Sequence, residues 1–216
     1  MAFGEVGTSL SKIKANSLNL AGTFGFTGTV SGLADETPLV LISTFTSDGS
    51  DATASFTSGI DSTYKEYLFV FNNIHRETDS VGFTFQASTD GGSNYNTTVT
   101  NTVFRAYHNE SGNTTALTYE TAADQAQGTS FIRLDELDGG NDNDQSLSGT
   151  LKIYNPSSTT FVKHYMSHVQ YAQKDDYSIQ TFTAGYFNTT SAINAVQFKM
   201  TSGEIQGGTI DLFGVV

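Results

Sequence analysis

Apolar residues along this chain recur at every second position far more often than at every third or fourth. Residues 160–172 set Phe161, Lys163, Tyr165, Ser167, Val169 and Tyr171 against Val162, His164, Met166, His168 and Gln170. Successive side chains of a β-strand point to opposite faces, so this period predicts a strand with an inner and an outer side. Residues 81–88 read the same way, with Val81, Phe83, Phe85 and Ala87 on one face and Gly82, Thr84, Gln86 and Ser88 on the other. Residues 67–74 (YLFVFNNI) are almost continuously apolar, the pattern of a central strand buried on both faces. Further strands are predicted over 39–45, 52–58, 95–107, 115–120, 129–137, 146–155, 177–187, 192–200 and 208–216, with Phe131, Ile132, Leu134, Leu147, Leu151 and Ile153 as core candidates.

Turn-forming clusters (NPSS, KDD, NTTS, SGEIQGG) separate these runs. No helical period persists over three turns, although residues 122–127 have room for one short helical turn. This many short strands, with turns every ~10–15 residues, predict an all-β, antiparallel β-sandwich, jelly-roll-like in strand number. No repeat of propeller or solenoid length is visible.

The first residues differ from the rest. The run TSLSKIKANSLNLAGTFGFTGTVSGL is rich in Gly, Ser and Thr, with Lys12, Ile13, Leu18, Leu20, Phe24 and Phe26 spaced too loosely for a helix and too brokenly for one strand. Residues 1–37 are therefore expected to form an extended N-terminal arm or attachment segment, ordered against a partner, and residues 38–216 the sandwich.

Residues 88–95 (STDGGSNY) join two strand patterns and predict a β-hairpin. In such a turn Asp90 bonds to the backbone, and Gly91 and Gly92 take positive φ. The segment resembles the Asp-box, the S-x-D-x-G-x-x-aromatic turn of sialidases and of many secreted or viral β-proteins. The chain also has three arginines, Arg76, Arg105 and Arg133, the number a sialidase uses to grip a carboxylate. It departs from that family in having one such turn, Tyr95 where Trp is usual, a length too short for a sialidase propeller, and no clear Tyr–Glu nucleophile pair. Ser88, Asp90, Gly91, Gly92 and Tyr95 are read as a structural turn.

Charge narrows the partners. The net charge is -12, and charged residues make up 15% of the chain against about 25% in ordinary globular proteins. Residues 1–34 hold only Glu5, Lys12 and Lys14, which leaves an acidic body that repels phosphate backbones and anionic membranes. Ser, Thr and Asn fill the surface instead, as in proteins that stand outside cells and pack into assemblies. There is no Cys, so disulfides, thiolate catalysis and cysteine-ligated zinc are out. No apolar run approaches a membrane span, and residues 1–17 have no signal-peptide core, from which synthesis in a cytoplasm is expected.

Few residues carry candidate chemistry. Asp135, Glu136, Asp138, Asp142 and Asp144 crowd one segment, and Asp135, Asp138, Asp142 and Asp144 are weak calcium candidates because that ion takes several carboxylate and carbonyl oxygens from loops. The EF-hand spacing is absent, and a solvated acidic loop is the plainer expectation. His164 and His168 share a strand face but stand about 13 Å apart, too far for one metal. His75 and His108 have no sequence neighbour to act with. No G-x-S-x-G and no phosphate-cradling glycine loop occurs. Tyr64, Tyr67, Tyr107, Tyr171, Tyr177 and Tyr186 are read as core or sheet-face residues, and the absence of Trp lowers the prospect of a sugar platform. The sequons at Asn96, Asn109, Asn113 and Asn188 are read as unused. No catalytic or cofactor-binding residue is expected.

Several blocks resemble structural proteins of tailed marine bacteriophages: FTFQASTDGGSNYN, TVFRAYH, LKIYNPSSTTFVKHY, the run from FTAGYFNTTS to GTIDLFGV, and the leader KIKANSLNLAGTFGFTGTVSG. Such proteins tend to end in a strand of the form G-x-I-x-L-[YF]-G-[IV], matched by residues 208–215. The resemblance covers roughly residues 66–216. It implies a non-enzymatic virion structural protein, made in the host cytoplasm, without cofactor or nucleic-acid partner, and assembled with other virion proteins as a homotrimer or another symmetric homo-oligomer. A tail fibre or tail appendage attached through the N-terminal arm is the first reading. A capsid decoration protein and a glycan-binding receptor-recognition module are the alternatives. No collagen triplets, heptads or repetitive shaft are present, unlike a long fibre.

Overall fold

A computed structural model of the chain describes residues 38–135 and 138–216. The expected arm, with Lys12, Ile13, Leu18, Leu20, Phe24 and Phe26, lies outside the described residues. In chain order the strands are β1 (Leu39–Thr46), β2 (Ala54–Phe56), β3 (Glu66–Arg76), β4 (Phe83–Ser88), β5 (Val99–Asn109), β6 (Thr115–Tyr119) and β7 (Gln125–Gly128). They continue as β8 (Ile132–Arg133), β9 (Leu147–Tyr154), β10 (Lys163–Gln173), β11 (Tyr177–Phe187), β12 (Ala195–Met200) and β13 (Ile205–Val215). No helix occurs among the described residues. The wide sheet runs β1-β13-β3-β9-β10-β11-β5-β6, with β7 also on β5, and the narrow sheet runs β2-β12-β4-β8. Every pairing is antiparallel.

The two sheets face each other across an aromatic core, the all-β sandwich that the alternation predicted. β10 buries Lys163, Tyr165, Ser167, Val169, Tyr171 and Gln173 and turns His164, Met166, His168 and Gln170 outward, residue for residue as its period required. From the narrow sheet Phe83, Phe85 and Phe198 meet Phe69, Phe71, Tyr165 and Phe187 of the wide one, mostly edge to face at ring-centroid distances of 5.1–6.2 Å. Each such buried ring contributes roughly 2–3 kcal/mol from area alone. Lys163 is buried at the start of β10, and its Nζ donates to the carbonyls of Thr189 (3.1 Å) and Ser191 (2.6 Å). Burial lowers its pKa.

Several expectations are corrected. The segment 88–95 does not close a hairpin: β4 belongs to the narrow sheet and β5 to the wide one, so the turn carries the chain from one layer to the other. Alternation marks where strands lie but does not say that sequential strands pair. β3 is central, between β13 and β9, yet only its N-terminal half is covered on both faces, and Asn72 on its outer side is exposed. It is β4 that is buried on both faces. Its outer side is satisfied by Thr84 Oγ1 donating to Lys199 O (2.8 Å) and by Gln86 Nε2 donating to Ser130 O (2.9 Å) and Thr129 O (3.2 Å). Phe131 lies outside the narrow sheet, 4.2 Å from Lys199 Nζ, while Ile132 and Leu134 enter the core. Of the predicted strand over 129–137 the described residues keep Ile132–Arg133, and in place of a helical turn over 122–127 a turn at 121–123 leads into β7. The described strands number thirteen because pieces as short as β7 and β8 leave no countable period.

Candidate functional site

The turn at 88–95 is held by its own side chains. Ser88 Oγ donates to Asp90 Oδ1 (2.6 Å) and accepts from the Gly92 N–H (3.0 Å). The Asn94 N–H and Nδ2 donate to the two oxygens of Asp90 at 2.9 and 2.7 Å. Gly91 and Gly92 have φ of 72° and 90°. Asn194 anchors the turn to the start of β12: its Oδ1 accepts from the Gly91 N–H (2.8 Å), and its own N–H donates to Ser88 O (3.0 Å). The donors from Asn94 and Ser88 hold the Asp90 carboxyl down at about 2. Tyr95 Oη is buried next to Gly92 and has no hydrogen-bond partner among the described residues. Both carboxylate oxygens of Asp90 accept bonds from within the turn, which is the structural role its sequence position predicted.

The acidic segment is solvated only in part: residues 141–144 are exposed, while Asp135 and residues 138–140 form a strap packed against the end of the sandwich. Asp135 is buried, accepts from Arg76 Nη2 and from the Phe83 N–H (2.6 Å), and so ties β3 to β4. Burial outweighs the pull of Arg76 and of the Phe83 N–H and pushes its carboxyl up to about 7. Gly139 bridges Val81, just before β4, and Gln173, at the end of β10, and sits against the Arg76 guanidinium where a Cβ would collide. Asp138 O accepts from the Lys174 N–H (3.2 Å), and Asn141 Nδ2 donates to Glu77 O (3.0 Å). His75 bonds Asp142 O through Nε2 and Gln206 Oε1 through Nδ1, both at 2.9 Å. The carboxylates named as calcium candidates are thus dispersed: Asp135 faces Arg76, Asp138 faces Tyr171 and Gln173, and Asp142 and Asp144 are exposed. Among the described residues no three carboxylates or histidines converge.

Beside this strap opens a cleft of about 270 Å³ that the sequence reading missed. It exists because β5, β10 and β11 are eleven residues long while β4 and β12 are six, so the narrow sheet leaves the end of the wide sheet's inner face uncovered. Ile179, Tyr107 and Tyr177 lie at this open end, with the tyrosine rings edge to face at 5.7 Å. Arg105 sits over the Tyr107 ring (5.0 Å) and donates from Nε to Glu120 (2.8 Å). Gln173 Nε2 lies between two carboxylates, Asp138 (3.3 Å) and Asp175 (3.2 Å). The cleft offers acceptors, a guanidinium and aromatic edges together. The three arginines do not gather: Arg76, at the end of β3, faces Asp135, Arg105 lines this cleft, and Arg133 lines a separate hollow with Phe131 and Gln125.

The outer face of the wide sheet carries the second unforeseen feature. His168, Phe182 and Phe104, from neighbouring strands β10, β11 and β5, stack face to face at 4.3 and 4.8 Å. Tyr119 of β6 is the next residue in register. Around this ladder Phe104 (42%), Met166 (56%), Tyr119 (51%) and Leu117 (71%) are exposed. Phe104 follows an inward Val103 and so had to point outward, a signal readable in the sequence, but the register that aligns it with Phe182 and His168 was not. His164 stands farther along the same face beside Tyr186, not with His168 on a common ligand.

Compared with protein-family models, with curated proteins and with solved structures, the chain matches none of them.

Proposed function

We propose that this chain is a non-enzymatic structural protein of a tailed-phage virion, a component of a tail fibre or tail appendage that works by assembling with other virion proteins. The observation that carries the assembly role is the wide sheet's outer face, where Leu117, Tyr119, Phe104 and Met166 stand exposed around a three-ring stack. Apolar groups clustered on a surface otherwise rich in Ser, Thr and Asn mark a protein contact. The fibre-like sequence blocks and the terminal strand over 208–215 support the virion setting. The carboxylates favour the same reading, since Asp90 serves a turn and Asp135 a buried clamp. Capsid decoration remains the alternative location for the same surface.

A second reading, a glycan-binding receptor-recognition module, is favoured by the end cleft, whose Tyr107, Tyr177, Arg105, Asp138 and Gln173 combine ring edges with donors and acceptors suited to sugar hydroxyls. Mass spectrometry of gradient-purified particles tests the main reading: the chain is expected among the virion proteins, and its absence from intact particles overturns the proposal. Binding on a glycan array that Tyr177→Ala abolishes would move the function to the cleft.

A further inference from the structure

Most cations of this acidic chain are neutralised where they stand. Among the described residues Arg76 meets Asp135, Arg105 meets Glu120, Lys152 meets Glu66 and Lys174 meets Asp175. The buried Lys163 is held by two carbonyls, and Lys65 is exposed to water. Arg133 and Lys199 differ. Both are half-buried, and among the described residues neither ion-pairs with a carboxylate. Acidic residues outnumber basic ones by 22 to 10, and a charge drawn partly out of water without a counter-charge is unfavourable. Two such cations on one surface mark a place where an anion is wanted.

The two share a face. Thr84 of β4 pairs with Arg133 of β8 on one side and with Lys199 of β12 on the other, so the three form a row across the outer side of the narrow sheet. Strand spacing sets the Cα atoms of Arg133 and Lys199 about 10 Å apart. Phe131, two residues before Arg133, reaches toward β12, with its ring centroid 4.2 Å from Lys199 Nζ. Gln86 Nε2 donates to the carbonyls of Thr129 and Ser130 and so fixes the segment that carries this ring. Arg133 and Phe131 also line a hollow of about 250 Å³, together with Asp124 and Gln125 at the entry to β7.

The mixture of groups selects the ligand. A guanidinium without a carboxylate offers forked donors that fit a carboxylate. Asp124, on the wall of the same hollow, is a carboxylate that accepts from Tyr119 Oη (2.7 Å). It repels a compact, multiply charged anion such as sulfate, yet its remaining lone pairs can accept from a hydroxyl. The Phe131 ring supplies an apolar face. A carboxylate, hydroxyls and an apolar ring face belong together in an acidic sugar. The hollow is smaller than the ~300–1,000 Å³ that encloses a drug-sized ligand, which suits a single sugar ring.

We infer that the outer face of the narrow sheet binds a hexuronate: Arg133 takes the carboxylate, Phe131 packs against the sugar ring, and Lys199 attracts the next acidic unit of a short oligouronate. The chain carries -12 overall, so the attraction is local, within the Debye length of ~8 Å at physiological salt. Binding is therefore weak, in the millimolar range, and falls as salt is added. The site is separate from the end cleft and depends neither on that cleft nor on a place in a phage tail.

The test titrates the purified full chain with trigalacturonate, followed by amide NMR spectra. Saturable shifts are expected, centred on Phe131, Arg133 and Lys199. Arg133→Gln and Lys199→Gln should each weaken binding at least tenfold while leaving the melting temperature unchanged or higher, because neither cation has a carboxylate partner to lose. The neutral maltotriose and inorganic sulfate should leave these resonances in place, and Tyr177→Ala, in the end cleft, should leave the titration unchanged. Shifts absent from this face, an equal response to sulfate, or a titration indifferent to Arg133→Gln would overturn the inference. Loss of binding in Tyr177→Ala alone would overturn it as well and assign the sugar to the cleft. The particle's composition is measured separately, so either idea can fail without the other.

Discussion

Arg76 and Asp135 set a guanidinium against a carboxyl group in the interior, where among the described residues Arg76 meets one carboxyl and its Nε and Nη1 have no hydrogen-bond partner. Such a pair costs little to replace as a unit and much to break. Asp135→Ala is expected to destabilise the fold by about 3–5 kcal/mol in urea unfolding, and Arg76→Met with Asp135→Leu to recover most of that loss. Asp90 behaves oppositely. Its carboxyl titrates at about 2 in the folded chain against about 3.9 when unfolded, so its contribution is present above the unfolded value and is lost as pH falls toward 2. Acid unfolding of Asp90→Asn should therefore show a shallower dependence on pH between about 4 and 2 than the parent chain. At this scale the turn was legible, because Ser88, Asp90, Gly91 and Gly92 bond within a few residues of each other. The acidic strap was not, because what Asp135 meets is decided by β3, far away in sequence.

Strands as long as β10 were legible because their inner residues all face one core. β7 and β8 are too short to show a period and exist only because β5 and β4 supply partners. The error at 88–95 has the same origin. A turn with good local chemistry serves a hairpin or a crossing between layers equally well, and long-range pairing of β4 with β12 decided which. The pairing of β3 with β13 illustrates another long-range demand. Asn73 (φ 49°) and Gly208 (φ 101°) lie where the register shifts, and a Cβ on Gly208 would stand 2.5 Å from Asn73 O. Gly208→Val should cost roughly 1–3 kcal/mol, read as a lowered midpoint in thermal melting, whereas Gly112→Ala, in an open turn, should cost less.

Over the whole sandwich, a wide sheet faces a narrow one, and both unassigned surfaces follow from that inequality. The uncovered inner end becomes the polar cleft, and the broad outer side becomes the aromatic face that ends at β6. An acidic body with neutral, apolar contact areas suits a part that is added to a larger symmetric assembly. The central claim, a structural role in a phage tail, is tested most directly by cryo-electron microscopy of purified particles that contain this chain. The account predicts density for a sandwich of a wide and a narrow sheet at the tail, in a few to tens of symmetric copies, with the wide sheet's outer face buried against a neighbour. A particle whose tail lacks that density, or one that carries it in hundreds of copies over the head, would contradict it.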